Sequence, residues 1–201
     1  MSEQIQKQPF WEELGLPAPG ERISRTDYDA LPEVSFHMEW HDGVVVYPNW
    51  NEETMSPAPN MYHQTIVMQV IKLLLNTIPD GRLFTAPTDV ILSGRTVQPD
   101  VFWVSDSGQA AIEKNALIGP PDLVIEVLSP SNTENDRVTK FDLYERNSVR
   151  EYWIVQPLED YLEVYVLDGG AFRRMGAFKP GQTFDSPVLG QPVELAQIFR
   201  G

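Results

Sequence analysis

The sequence predicts a mixed α/β domain of the α+β kind, a central mixed sheet flanked by helices. Three observations carry this. Leu123-Val124-Ile125-Glu126-Val127-Leu128 is a continuous apolar run with one charge in it, the pattern of a central strand covered on both faces. Apolar residues recur at helical spacing from Met61 to about Ile78. Glycine-containing turns at Asp42-Gly43 and Asp168-Gly169-Gly170 each separate two apolar runs, which predicts one hairpin near each end of the chain.

In chain order, residues 1–24 read as a loosely built lead-in, because Pro17-Ala18-Pro19-Gly20 interrupts any regular element. Residues 25–201 read as one domain. A short helix is expected around Tyr28, then a hairpin of Phe36–Trp40 with Val44–Tyr47, then a polar loop over 49–60. Asn60 suits the N-cap of the long helix, whose apolar residues cover nearly the whole circumference and predict burial on most sides. Pro79-Asp80-Gly81 stops it. Strands are expected over 83–86, 89–92 and 97–104, with Pro99 marking an edge or irregular point in the third because it lacks an N–H. Ser131-x-x-Glu134 is a capping box, so a helix should run from about Asn132 to Arg146. Strands follow at 152–155, 161–167 and 172–178, and 193–199 closes the chain as a short helix or turn.

The 201 residues contain no cysteine, which removes disulfide scaffolds, zinc ribbons and thiol catalysis. No apolar run approaches membrane-spanning length, and the polar, acidic start lacks the pattern of a signal peptide, so a cytoplasmic protein is expected. The net charge of −14 argues against non-specific coating of nucleic acid. Residues 1–60 carry three basic and eleven acidic side chains, so the remainder is only mildly acidic and leaves room for a local basic cleft.

Glu126 is the first candidate for chemistry. Between Ile125 and Val127 on a buried strand it needs a cation, either as a structural ion pair or as a metal ligand or general base. Asp100 stands in a second apolar run, and two such strands can aim both acids at one place. Two carboxylates with waters and substrate oxygens form the ligand set preferred by Mg²⁺ or Mn²⁺. Lys140 lies on the next helix. With Val138 at zero, it falls at about 200°, between Tyr144 at about 240° and Leu143 at about 140°, on the border of the buried face. Two readings stand there: an ammonium reaching along the sheet, or an exposed pair with Asp136. His63, near the start of the long helix, lines the same cleft or is a packed side chain. Gln98 and Asp89 are near enough to Asp100 to support it. Trp103, Tyr152 and Trp153 are most simply core.

These residues fall into a familiar series: Gln98-Pro99-Asp100-Val101, Pro121-Asp122 through Ser129-Pro130-Ser131, Asp136-Arg137 with Lys140 and Tyr144, and Glu151-Tyr152-Trp153-Ile154-Val155. Together with Glu39, Asp42-Gly43, Met55-Ser56-Pro57, His63-Gln64 and Gln197-Ile198-Phe199, the series resembles the Uma-type restriction endonuclease family of the PD-(D/E)XK nuclease superfamily, over roughly 25–199. The resemblance implies a restriction-endonuclease-like fold and metal-dependent hydrolysis of phosphodiesters, with DNA as substrate; a non-catalytic binding or assembly module on the same fold and a metal hydrolase of a smaller phosphate ester are the alternatives that the acidic charge leaves open. It makes Asp100, Glu126 and the Val127 carbonyl metal ligands and Lys140 the catalytic cation. Leu128 stands where the superfamily places its lysine, and Lys140 matches the family's alternative on the next helix. Glu39 would be a further upstream acid, although it reads more simply as a solvated hairpin residue. A homodimer pairing through strands such as 161–167 or 172–178 is also expected.

Overall fold

The computed structural model describes residues 9–48, 61–129, 135–195 and 198–199. Two short helices, α1 (Phe10–Leu14) and α2 (Arg25–Asp29), precede the hairpin of β1 (Glu39–His41) and β2 (Val44–Val46). Asp42 and Gly43 turn it with φ of 51° and 91°, the positive values that a tight hairpin turn requires. Helix α3 (Met61–Leu75) leads to β3 (Arg82–Thr85), β4 (Asp89–Leu92), β5 (Arg95–Val97) and β6 (Val101–Val104). The short strands β7 (Ala111–Ile112) and β8 (Ala116–Ile118) come before β9 (Leu123–Val127). After helix α4 (Asn135–Arg146) run β10 (Glu151–Gln156), β11 (Tyr161–Asp168), β12 (Ala171–Phe178), β13 (Thr183–Ser186) and β14 (Gln191–Glu194).

Among the described residues the mixed α+β class holds, but the strands divide between two main sheets rather than one. One sheet runs β2-β1-β5-β4-β8-β7 and the other β12-β11-β10-β9-β6-β3, while β13 pairs with β14. Strand β9 is central in the second sheet, parallel to β10 and antiparallel to β6, and every residue in it is buried. The single strand expected over 97–104 is in fact two: β5 belongs to the first sheet and β6 to the second. Pro99 sits at the crossing, where a residue with no N–H and a fixed φ lets the chain leave one ladder and enter the other.

The central sheet is covered on both faces. On one face α3 contributes Ile66, Val67, Val70 and Leu74 against Trp103, Ile125 and Trp153, with Phe184 and Val193 of the β13–β14 pair. On the other, Leu143 and Tyr144 of α4 meet Phe102, Val124, Tyr152 and Ile154, joined by Val90, Leu92, Val97 and Leu117 of the first sheet. The period of two along β9 divides its side chains between these cores.

Several expectations change. Helix α3 is buried on one side only: Met61, Met68 and Leu75 are 85%, 50% and 63% exposed. Apolar residues at nearly every helical angle do not say which arc meets the sheet. Residues 9–24, expected to be loose, are docked: Leu16 is buried, Tyr47 donates to the Pro17 carbonyl, and the backbone of 20–23 bonds to 43–45. In the C-terminal stretch, Val193 and Glu194 belong to β14, and a turn occupies 198–199. The polar loop over 49–60, the Asn60 cap, the motif Met55-Ser56-Pro57, the capping box at 131–134 and Gln197 lie outside the described residues.

Candidate active site

The site lies at the C-terminal end of β9. Because β6 runs antiparallel to β9 with Val101 opposite Ile125, Asp100, one residue before β6, arrives level with Glu126 at the end of the ladder, next to Val127. Its Oδ2 accepts the Val127 N–H at 2.8 Å. Glu126 shares its face of the sheet with α4, and Tyr144 of that helix donates to Glu126 Oε1 at 2.6 Å. Lys140 stands one turn earlier on α4, with Nζ 3.1 Å from the same oxygen. From the opposite face, His63 of α3 places Nε2 2.9 Å from the Val127 carbonyl and 3.3 Å from Asp100 Oδ2.

Glu39 is the larger correction. It is fully buried rather than solvated, and its Oε1 lies 3.3 Å from Lys140 Nζ. The same oxygen accepts the Gln98 N–H at 2.8 Å, and Oε2 lies 2.9 Å from His41 Nε2. Lys140, 3% exposed, therefore bridges carboxylates from both sheets, which removes the reading of it as an exposed helix pair.

Gln98 does not line the recess with these groups; it links the strands behind it. Its amide oxygen accepts the Met38 N–H at 3.0 Å and its amide nitrogen donates to Asp89 at 2.8 Å.

Asp100, Glu126, Val127, Lys140 and His63, with His37 and Tyr152, line one recess of about 20 Å³. That is room for about one water or ion. Burial raises the Glu126 carboxyl; Lys140 draws it down, Asp100 and Glu39 push it up again, and the result is about 8. Burial likewise opposes the charge on Glu39, but Lys140, His41 and the Gln98 N–H outweigh it and hold that carboxyl at about 2. Asp100 also stays below its ordinary value: burial works against it, and the His63 hydrogen bond and charge, then His37 and the Val127 N–H, prevail. Of the two acids beside Val127, the surroundings favour the charged form on Asp100 and the protonated form on Glu126.

Among the described residues, no three His, Cys, Asp or Glu side chains converge as a metal cage. Two carboxylates and a carbonyl in a water-sized recess suit Mg²⁺ or Mn²⁺, hard ions that keep several waters and accept few protein oxygens. Glu126, whose proton a cation would replace, fits the same ions.

A family model described as "Uma2: Putative restriction endonuclease" matches residues 25–196. The chain belongs to that family. The Uma2 match spans both sheets, both long helices and every residue of the recess. Among solved structures, one from Anabaena variabilis, described as a putative nuclease belonging to DUF820, is similar with a TM-score of 0.68. Its sequence identity is 18%, and the match covers 88% of this chain and 97% of that one, which establishes the shared fold. No curated protein matches. The family assignment supports a nuclease.

In this Uma2 chain the structure brings Asp100, Glu126, Val127, Lys140, Glu39 and His63 together and leaves Gln98 behind them. Sequence reasoning missed Tyr144 as a partner of Glu126 and His37 as a wall of the recess. Tyr144 follows Lys140 by one helical turn, a spacing that places both over the same strand residue. Nothing local marks His37, which arrives through the packing of the first sheet.

Proposed function

We propose that the protein is a Mg²⁺- or Mn²⁺-dependent endodeoxyribonuclease, hydrolysing phosphodiester bonds of DNA in the cytoplasm and working as a homodimer. One observation carries the reading: Asp100, Glu126 and Lys140 line the same buried recess. Asp100, Glu126 and the Val127 carbonyl would hold the ion. When bound, the ion supplies an acidified water and offsets charge on the scissile phosphate. Asp100, whose charged form is favoured, would meet the cation as a carboxylate, and Glu126 would give up its proton to bind it. Lys140, held between Glu39 and Glu126, is placed to orient the attacking water and to stabilise charge as it develops. The water oxygen bonds to phosphorus as the bond to the leaving sugar oxygen breaks, and that oxygen takes up a proton. Strand β12 ends its sheet, and its outer edge supports the dimer.

A second reading, hydrolysis of a smaller phosphate ester, is favoured by the net charge of −14. The test is cleavage of supercoiled and single-stranded DNA with Mg²⁺ or Mn²⁺, alongside Asp100→Ala, Glu126→Ala and Lys140→Met. Cleavage by the wild type and a loss of about 100-fold or more in each variant is expected. Equal cleavage by all four samples overturns the assignment of these residues. Hydrolysis of a small ester with intact DNA favours the second reading. Light scattering tests the dimer, and a monomeric mass removes it.

A further inference from the structure

His63 stands in a different relation to the site from the other recess residues. It comes from α3, on the face opposite Lys140, and is 4% exposed. Its Nε2 lies 2.9 Å from the Val127 carbonyl oxygen and 3.3 Å from Asp100 Oδ2. A carbonyl oxygen only accepts, so this nitrogen carries its hydrogen and donates. A donating Nε2 has no lone pair to offer a metal. Its N–H lies against the two oxygens that, on the reading above, would bind the ion.

We infer that His63 is a placeholder for the cation: its Nε2–H satisfies Asp100 Oδ2 and the Val127 carbonyl in the metal-free protein, and the ion binds only as the imidazole gives those oxygens up. The physical reason is the cost of leaving the Val127 carbonyl and Asp100 Oδ2, which would keep only the Val127 N–H, side by side without a further hydrogen or a cation between them, away from water. The ring removes that cost and lets the site fold before it is loaded. It also weakens the apparent affinity for metal, because binding must draw on the fraction of molecules in which the ring has turned aside. His63 is thus a positioning residue that trades metal affinity for stability of the empty site. A purely structural histidine, holding the two oxygens in place for the ion, would act in the opposite direction, and its loss would weaken binding.

This inference rests on Asp100 and Val127 being ligands, and the experiment separates the two failures. Mn²⁺ is titrated into the full-length wild type, His63→Phe, His63→Gln and Asp100→Ala, with free Mn²⁺ followed by electron paramagnetic resonance. Phenylalanine fills the space without a donor, while glutamine restores an amide N–H at about the position of Nε2. His63→Phe should bind Mn²⁺ about tenfold more tightly than the wild type, and His63→Gln should remain within about threefold of it. Equal or weaker binding by His63→Phe, with the wild type binding normally, overturns the placeholder alone. A wild type that binds no Mn²⁺, or Asp100→Ala indistinguishable from wild type, overturns the metal site and the inference with it. Should His63→Phe fail to fold, the wild-type His63 Nε2–H resonance followed through a Mg²⁺ titration decides. Movement of that resonance on binding supports the inference, and a stationary one refutes it.

Discussion

Burial, with the carboxylates of Asp100 and Glu39 nearby, raises the Glu126 carboxyl and favours its protonated form against the pull of Lys140. With a folded value of about 8, an ion that replaces this proton should release about one H⁺ near pH 7, falling toward zero above pH 9. Mn²⁺ calorimetry in buffers of different ionisation enthalpy measures it, and no buffer dependence at pH 7 would contradict the exchange. Glu39 behaves in the opposite way. Its folded value of about 2 lies below the ordinary 4.5, so its contribution to stability is present above about pH 4.5 and is lost as pH falls toward 2. Glu39→Gln should therefore cost about 3 kcal/mol at pH 7 and progressively less below pH 4.5. Urea unfolding at several pH values checks this, and a pH-independent loss would place the effect elsewhere. Glu126 and Asp100 were legible in the sequence because each is a charge inside an apolar run. Glu39 was not, since Glu39-Trp40-His41 beside an Asp-Gly turn has the local appearance of a solvent-facing hairpin.

At the scale of elements, the crossover between β5 and β6 organises the site. Pro99 ends one ladder, Asp100 drops beside Val127, and the Gln98 N–H grips Glu39. The Gln98 side chain ties the same point to Met38 and Asp89. Gln98→Ala should cost about 1–3 kcal/mol, because the Met38 N–H is buried and loses its acceptor. It should also lower nuclease activity, since Glu39 is part of Lys140's support. Thermal unfolding and the DNA cleavage assay read the two effects; unchanged stability would show that water or a neighbour replaces the amide. Helix α4 teaches a related point. Its periodicity placed Lys140 on the border of the buried face, and the tertiary structure decided which side of that border it took, by offering two acids there.

For the molecule as a whole, the two sheets meet where the recess lies, and the N-terminal stretch braces the first sheet. Phe10, Trp11, Leu16 and Ile23 pack with Tyr28, Met38, Val45 and Tyr47 into a third cluster under the hairpin that carries Glu39. Deleting residues 1–24 should leave a folded chain whose thermal midpoint falls by about 10 °C, from the apolar surface it exposes. Circular dichroism during a thermal ramp checks it, and an unchanged midpoint would mean that the stretch merely rests on the domain.

By itself the sequence determined what short-range patterns encode: helices at 3.6-residue spacing, turns at Asp-Gly and Gly-Gly, a central strand with a charge it had to neutralise, and a family series from Gln98 to Val155. Only the tertiary structure decided that 97–104 splits between two sheets, that Glu39 is buried against Lys140, and that His63 reaches the Val127 carbonyl from the far face. Local spacing is felt within a turn or a strand. Which distant groups share a low-dielectric space depends on how whole layers stack, and there a carboxylate's charge is set by neighbours many residues away.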